Sequence, residues 1–292
     1  ISSDVIKEFA VVRSRFLAVI VCAVLALAAC GRSAPQIDSD PNLDASDILS
    51  KAMNRGASQQ LISDHDRTVA MDAALTVSMD NMTMKMDMNL DSKESGDQRM
   101  SEVGVDMKVS AGSGKTSDVK LYMLFQQEEE GYHAYARLGQ GAGADKKGQE
   151  KLSEEGARSL LDHMQQSSMA SVEMYAENPE KVGAKEEGGN YIVQLIPSHE
   201  ALMNIAKKTG SGNSIENLSN SRCLLTMVVD KNTYHMKSFA LELEADVTSQ
   251  GQKAKMDMKV NVTSDESKEV TLSVPADLTD APETSLKTFF SS

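Results

Sequence analysis

Met82, Met84, Met86 and Met88 alternate with Thr83, Lys85 and Asp87 in the stretch NMTMKMDMNLD, in a chain with 18 methionines and no tryptophan. Thioether sulfur is a soft ligand that selects Cu(I), so a metal ladder is the first chemistry to weigh. On an extended strand such residues lie about 6.6–6.8 Å apart along one face, and adjacent sulfurs meet only if the side chains bend. No neighbouring histidine completes the site. Two other readings stay open. One is ordinary core packing, although β-branched residues suit a strand better than methionine. The other is an adaptable apolar surface, because methionine packs without fixing shape. Met71, Met79, Met256 and Met258 repeat the pattern in other alternating stretches. If those faces line one concavity, core and ligand surface are the same trough.

The remaining motifs offer less. AGSGKTSD (111–118) has the Gly-Lys-Thr of a phosphate loop, but Val109 stands where the first glycine belongs. A strand-like DVKLYMLF follows it instead of the helix whose N-terminus would face phosphate, so it reads as a hairpin turn. The five histidines, His65, His133, His163, His199 and His235, form no HExxH or paired ligand set. SDHD (63–66) reads as a turn or cap at a strand entrance, and DKNTYH lacks the glycine and distal glutamate of a calcium loop. Cys223 opens the apolar run CLLTMVV and reads as a small buried hydrophobe. No GxSxG elbow or comparable signature appears. The expectation is a protein without catalytic residues, bound metal or cofactor.

Composition bounds the class. The chain has 292 residues, 40% hydrophobic and 25% charged, which is globular, and a net charge of −13 that repels phosphate backbones. No basic patch interleaved with aromatics offsets that charge, so nucleic-acid binding is not expected. Near the N-terminus Lys7, Arg13 and Arg15 precede the apolar run FLAVIVCAVLALAAC. The run is shorter than the roughly 20 residues that span a bilayer and matches the h-region of a secretory signal. It ends in Leu27-Ala28-Ala29-Cys30, followed by Gly31, an order similar to the bacterial lipobox. In such signals the cysteine, here Cys30, carries the lipid and becomes the mature N-terminus.

The elements that must position the methionines follow from periodicity. DASDILSKAMNRG carries helix signals, with Asp44 or Ser46 as N-cap. Strict alternation predicts strands through TVAMDAALTVSM, NMTMKMDMNLD, QRMSEVGVDMKVS and the hairpin DVKLYMLFQQEE–GYHAYARLG. GQGAGADKKGQ reads as a Gly-rich loop. A helix capped by Ser153 runs on to Asn178-Pro179, carrying Leu160, Leu161, Met164, Met169, Val172 and Met174 on one side. A strand YIVQLIP, a helix capped by Ser198, a linker SIENLSNS and a three-strand meander from Arg222 complete the order. One-faced alternation of this kind belongs to antiparallel sheets.

With Leu27-Ala28-Ala29-Cys30, MTMKMDMNL, YIVQLIP before a short helix, MVVDKNTYHMKSFALEL and KMDMKVNVTSDESKEVTLSVP, the chain resembles bacterial LolA-like lipoproteins, a family commonest in Gram-positive organisms. The resemblance covers most of residues 45–282. It implies an α+β fold: a long curved antiparallel β-sheet, an unclosed half-barrel, with helices packed on its concave face. LolA and LppX-type relatives hold lipid or acyl chains between sheet and helices. That implies an apolar ligand face drawn from Met71, Leu75, Met84, Met86, Met88, Met107, Leu121, Met123, Met227, Leu241, Leu243, Met256 and Met258, and no catalytic residues. The expected organisation is a signal at 1–29, a lipid-anchored flexible tether at 30–45, one LolA-like domain at 46–282 and a ragged tail at 283–292. The protein is expected to be a monomer held on the extracytoplasmic face of the cell membrane through lipid on Cys30. Its expected activity is binding or shuttling lipid. The alternative is a non-catalytic envelope interaction module with a filled core.

Overall fold

Alternating stretches pair with their sequence neighbours, and the whole chain thereby builds one sheet. The computed structural model describes residues 35–56, 62, 64–79, 82–112, 115–140, 145–165, 175–176, 179–208, 215–249 and 252–289. The expected signal, Cys30 and the start of the tether lie outside the described residues, as do Met169, Val172 and Met174.

The strands are β1 Arg67–Met79, β2 Met82–Ser95, β3 Met100–Ala111, β4 Lys115–Glu128, β5 Gly131–Gln140, β6 Lys146–Leu152, β7 Pro179–Glu187, β8 Asn190–Pro197, β9 Ile215–Asp230, β10 Met236–Ser249 and β11 Gln252–Asp265. They form a single sheet in the order β6-β5-β4-β3-β2-β1-β11-β10-β9-β8-β7. Every ladder is antiparallel, and the two halves of the chain are joined at the β1–β11 seam. The long, unclosed sheet with a few short helices is consistent with a half-barrel.

Helix α1, Ala45–Gly56, starts where Asp44 accepts the Asp47 N–H at 3.0 Å, which settles Asp44 over Ser46 as its cap. Helix α2, Glu154–Gln165, and helix α3, His199–Lys208, are capped by Ser153 and Ser198, whose hydroxyls accept the N–H groups of Gly156 and Ala201. Ile48, Leu49 and Ala52 of α1 and Leu202 of α3 join the main apolar cluster, which also holds Leu75, Met258, Leu243 and Leu225. Ala157 and Leu160 of α2 join a second cluster with Met123, Phe125, Ala134 and Ala136. The side of the sheet that these helices cover is the inner face.

Three stretches depart from the sequence reading. Lys146–Leu152, expected as loop as far as Gln149, is strand β6, and Pro179, expected to end a helix, begins strand β7, Pro179–Glu187. Both are edge strands, and their many charges disguise them while discouraging pairing with another chain. Residues 215–221, expected as a linker, are the first part of β9.

The first and last described segments also depart from expectation, because each closes an edge. Residues 35–44, the second part of the expected tether, lie along β7. Asp40 donates its N–H to the Ala184 carbonyl at 2.7 Å, and Asp38 pairs with Lys185 at 3.1 Å. Ile37 is buried against Gly183, where a Cβ would fall 2.5 Å from the Ile37 methyl. At the other edge, Gln149 of β6 donates to Pro282 and accepts from Thr284, at 3.1 and 3.0 Å. Short helices α4, Ala276–Thr279, and α5, Leu286–Phe289, flank that contact. Within the expected ragged tail, Leu286 and Phe289 are both buried in the second cluster. On the outer face Leu278 and Ala281 cover Met100, Leu124 and Tyr135 in a third cluster.

Polar braces hold the end of the sheet where β1 begins. The Asp66 carboxylate accepts the N–H of Val270 at 2.6 Å and of Gly96 at 3.0 Å, fastening β1 to the β2–β3 turn and to the C-terminal segment. A Cβ on Gly96 would collide with the Asp64 backbone at 2.5 Å, so the close approach needs glycine. Gln98 exchanges two hydrogen bonds with the Leu272 backbone. Asp230 turns the β9–β10 hairpin by accepting the N–H groups of Asn232 and Thr233 and pairing with Lys237 at 2.8 Å.

The bonds from Val270 and then Gly96 hold the Asp66 carboxyl below its ordinary value of 3.8, and Lys237 and the turn N–H groups depress Asp230 likewise. A depressed folded pKa contributes stability that is present above the unfolded value and lost as pH falls through the folded one. His65 runs the other way. Asp64, then Glu266, raise its pKa above 6.5, so its contribution is present below that value and lost as pH rises through the raised one. Asp66→Asn is therefore expected to lower the melting temperature at pH 7 and to shrink the drop in melting temperature between pH 5 and pH 3. Thermal melts across that range check it; a drop of wild-type size would show that Asp66 is not a source of the acid sensitivity.

Candidate functional site: the inner face

Residues directly opposite in an antiparallel ladder point to the same side of the sheet. Leu75 stands opposite Met258 on one side and Met86 on the other, and Met258 stands opposite Leu243. Val77 faces Met84 and Met256, Ala73 faces Met88, and Met88 faces Met107. Met71 faces Leu90, Leu90 faces Val105, and Val105 faces Leu121. Met123 faces Val103, Leu241 faces Leu225, and Met227 faces Phe239. All thirteen residues selected from the sequence thus lie on the inner face.

Their burial is uneven. Leu75, Met84, Met123, Met227, Leu241, Leu243, Met256 and Met258 are buried. Met71, Met86, Met88, Met107 and Leu121 are half-buried. Four of the half-buried residues are adjacent through the register, in the rows Met71–Leu90–Val105–Leu121 and Met88–Met107, while Met86 stands between buried Leu75 and Val109. These rows cross β1 to β4. On one side stands the main cluster, with α1 and Leu202; on the other stands the second cluster, with α2. Principal helix contacts go to β5, β6, β7 and β8, the outer arms of the sheet. The inner face therefore carries two dry clusters and, on β1 to β4, a band of apolar side chains that keep some access to solvent: Met71, Met86, Met88 and Met107 pack against the main cluster and Leu121 against the second. Leu90, Val103 and Val105 belong to the band too; their alternation was visible in the sequence, but nothing there distinguished half-buried from buried positions.

The methionine sulfurs do not form a cross-strand ladder. Met88 opposite Met107 and Met79 opposite Met82 are the thioether pairs in direct opposition on this face; Met84, Met86, Met256 and Met258 have Val, Leu or Ala opposite them. Among the described residues no group of three or more His, Cys, Asp or Glu side chains could hold a metal ion. None of their helices is long and apolar enough to cross a membrane. The surroundings of the sulfurs are hydrocarbon, which suits contact with an apolar molecule.

One polar group interrupts the dry part of this face. Tyr175 is 2% exposed within the main cluster, and its hydroxyl has no hydrogen-bond partner. A buried donor left unpaired costs about 1–3 kcal/mol. Cys223 lies close by, also buried, and burial pushes both the phenol and the thiol well above their ordinary ranges, so both stay protonated. Tyr175 was not among the residues selected from the sequence. Its only signal there is that it is the one tyrosine in the segment read as the helix that Ser153 begins.

The outer face is polar along the seam. A shallow open depression there is lined by Thr76, Ser78, Glu244, Asp246, Lys255 and Asp257. Further along, Asp277 pairs with Arg137 at 3.0 Å and Lys147 at 2.9 Å, tying α4 to β5 and β6.

Similarity to known proteins is distant. No curated protein matches the chain in sequence. A β-barrel-like protein of a domain of unknown function, DUF1849, from Brucella abortus overlaps 68% of this chain and 98% of its own, at 6% identity and a TM-score of 0.22. The translocator domain of the autotransporter NalP from Neisseria meningitidis overlaps 75% and 95%, at 9% identity and a TM-score of 0.17. Both scores lie far below that of a shared fold. The family model of DUF6612, a family of unknown function, matches residues 44–283, from the cap of α1 to the segment that closes β6, and the chain therefore belongs to that family.

Proposed function

We propose that this protein is a non-catalytic lipoprotein, anchored to the extracytoplasmic face of the membrane through lipid on Cys30, whose LolA-like domain binds or shuttles a lipid or other acyl-chain ligand. The observation that carries the ligand part is the half-buried band of Met71, Met86, Met88, Leu90, Val105, Met107 and Leu121 beside two dry clusters. An apolar strip left partly wet beside dry clusters on the same face is where an apolar ligand gains from leaving water. Methionine supplies a surface that adapts to chains of differing shape. Support for the anchor is the sequence alone: basic flank, apolar run and Leu27-Ala28-Ala29-Cys30 in order.

A second reading, an envelope interaction module with a filled core, is favoured by the tight burial of Met123, Met227, Leu241, Leu243, Met256 and Met258. The two separate in native mass spectrometry of the Cys30→Ser protein, exported but not acylated, set against a denatured and delipidated sample. A discrete added mass in the lipid range, lost on denaturation, is expected. A clean apo mass that takes up no added lipid would remove the ligand reading and favour the filled core.

A further inference from the structure

Interiors of folded proteins pair nearly every buried polar group, so an exception asks what it is for. Among the described residues the buried polar side chains are Ser95 and Ser101, and the buried polar atoms without a partner include Arg67 Nε, Asp106 Oδ1, Asp118 Oδ1 and the Tyr175 hydroxyl. Ser95 and Ser101 lie opposite Met100 and Glu94 at the β2–β3 turn, away from the methionine band. Of these atoms the Tyr175 hydroxyl is the one within the main apolar cluster, where it meets no acceptor. The acceptor it lacks must then arrive on a molecule that is otherwise apolar, because Tyr175 lies in a cluster of apolar side chains with Cys223 beside it. No described charged side chain is buried there to balance an anion, so that acceptor is neutral.

We propose that the Tyr175 hydroxyl is the polar anchor of the inner face, donating to the neutral carbonyl of an acyl ester or protonated fatty acid whose hydrocarbon chain lies across the band at Met71, Met86, Met88 and Met107. This assignment rests on the apolar-ligand reading above and adds to it a direction and a chemical class. The dimensions agree. Cys223, beside Tyr175, is on β9, and β2 is four strands away, roughly 19 Å at about 4.8 Å per strand, within reach of a long acyl chain. The carbonyl end would sit in the dry cluster and the chain would run toward the wetter band.

The test uses the full chain and displacement of the fluorescent apolar probe N-phenyl-1-naphthylamine by methyl palmitate, palmitic acid and n-heptadecane, each delivered from cyclodextrin. Wild type is expected to prefer methyl palmitate, or palmitic acid at low pH, over heptadecane by about tenfold, the weight of one hydrogen bond. Which of the two wins separates ester from free acid. Tyr175→Phe is expected to lose that preference while its affinity for heptadecane is unchanged. Without ligand, the same variant is expected to melt about 2–4 °C higher, because it removes an unpaired donor and keeps the ring. A preserved preference in Tyr175→Phe, no preference in wild type, or a lower melting temperature in the variant would each overturn the assignment. If wild type binds neither the probe nor any of the three chains, the apolar-ligand reading falls and takes this one with it.

Discussion

A chain ending at Pro275 is expected to lose most of its stability and to associate through an exposed strand edge. The segment it lacks fills space on two sides of the sheet at once. Leu278 is fully buried on the outer face against Leu124 and Tyr135, while Leu286 and Phe289 are buried on the inner face beside α2. Burying a leucine or phenylalanine side chain contributes about 1.5–3 kcal/mol, so the three together account for roughly 5–9 kcal/mol as an upper estimate. A whole domain commonly has about 5–15 kcal/mol. The truncation also removes the Pro282 and Thr284 backbone groups that pair with Gln149, and so turns β6 into an open edge. Urea denaturation and size-exclusion chromatography measure both effects. A truncated chain with the wild-type urea midpoint and elution volume would mean that residues 276–292 contribute little to the fold.

The second large effect separates two methionines that look alike in the sequence. Met258 is 3% exposed, opposite Leu75 and Leu243 at the seam. Met258→Ala is expected to cost about 2–5 kcal/mol, from lost transfer energy and the cavity left where neighbours on both strands cannot close in. Met88, in the half-buried band, stands opposite Ala73 and Met107. Met88→Ala is expected to cost under about 1.5 kcal/mol, because less of its side chain leaves water on folding and solvent fills the gap. Denaturant midpoints at unchanged slope give the two values. Equal penalties would mean that the band is packed as firmly as the seam, and the apolar-ligand reading would lose its main support.

Much of the sheet was legible because alternation is a local property. Each of β1 to β5, β8, β10 and β11 writes its buried face into every second residue. Once the strands pair in order, the thirteen candidate residues have to share a side. The edge strands were hidden for the opposite reason. Lys146, Lys147, Glu150 and Lys151 on β6, and Glu180, Lys181, Lys185, Glu186 and Glu187 on β7, are the residues that a strand carries when nothing is to pair with it. Burial depth was not legible either. Met86 and Met258 each sit between a lysine and an aspartate, and nothing in that local pattern marks one as half-buried and the other as dry. The docked first and last described segments escaped notice because the short apolar set Ile37, Leu286 and Phe289 has no period to read. Tyr175 was missed because an unpaired hydroxyl is a property of what surrounds it.

The strand order has a consequence in time. Each ladder but one joins strands that are neighbours in the chain, so β1 to β6 and β7 to β11 can each assemble as soon as their own residues are available. The β1–β11 seam, where Thr68 meets Asp265 and Met79 meets Ala254, joins residues far apart in sequence. A chain delivered from its N-terminus therefore holds the first half of its sheet with the outer edge of β1 unpaired, and Leu75 and Val77 beside it uncovered, until the last strand, β11, arrives. That interval is when the chain is most open to pairing with a wrong edge, and the rate of seam closure sets how long it lasts.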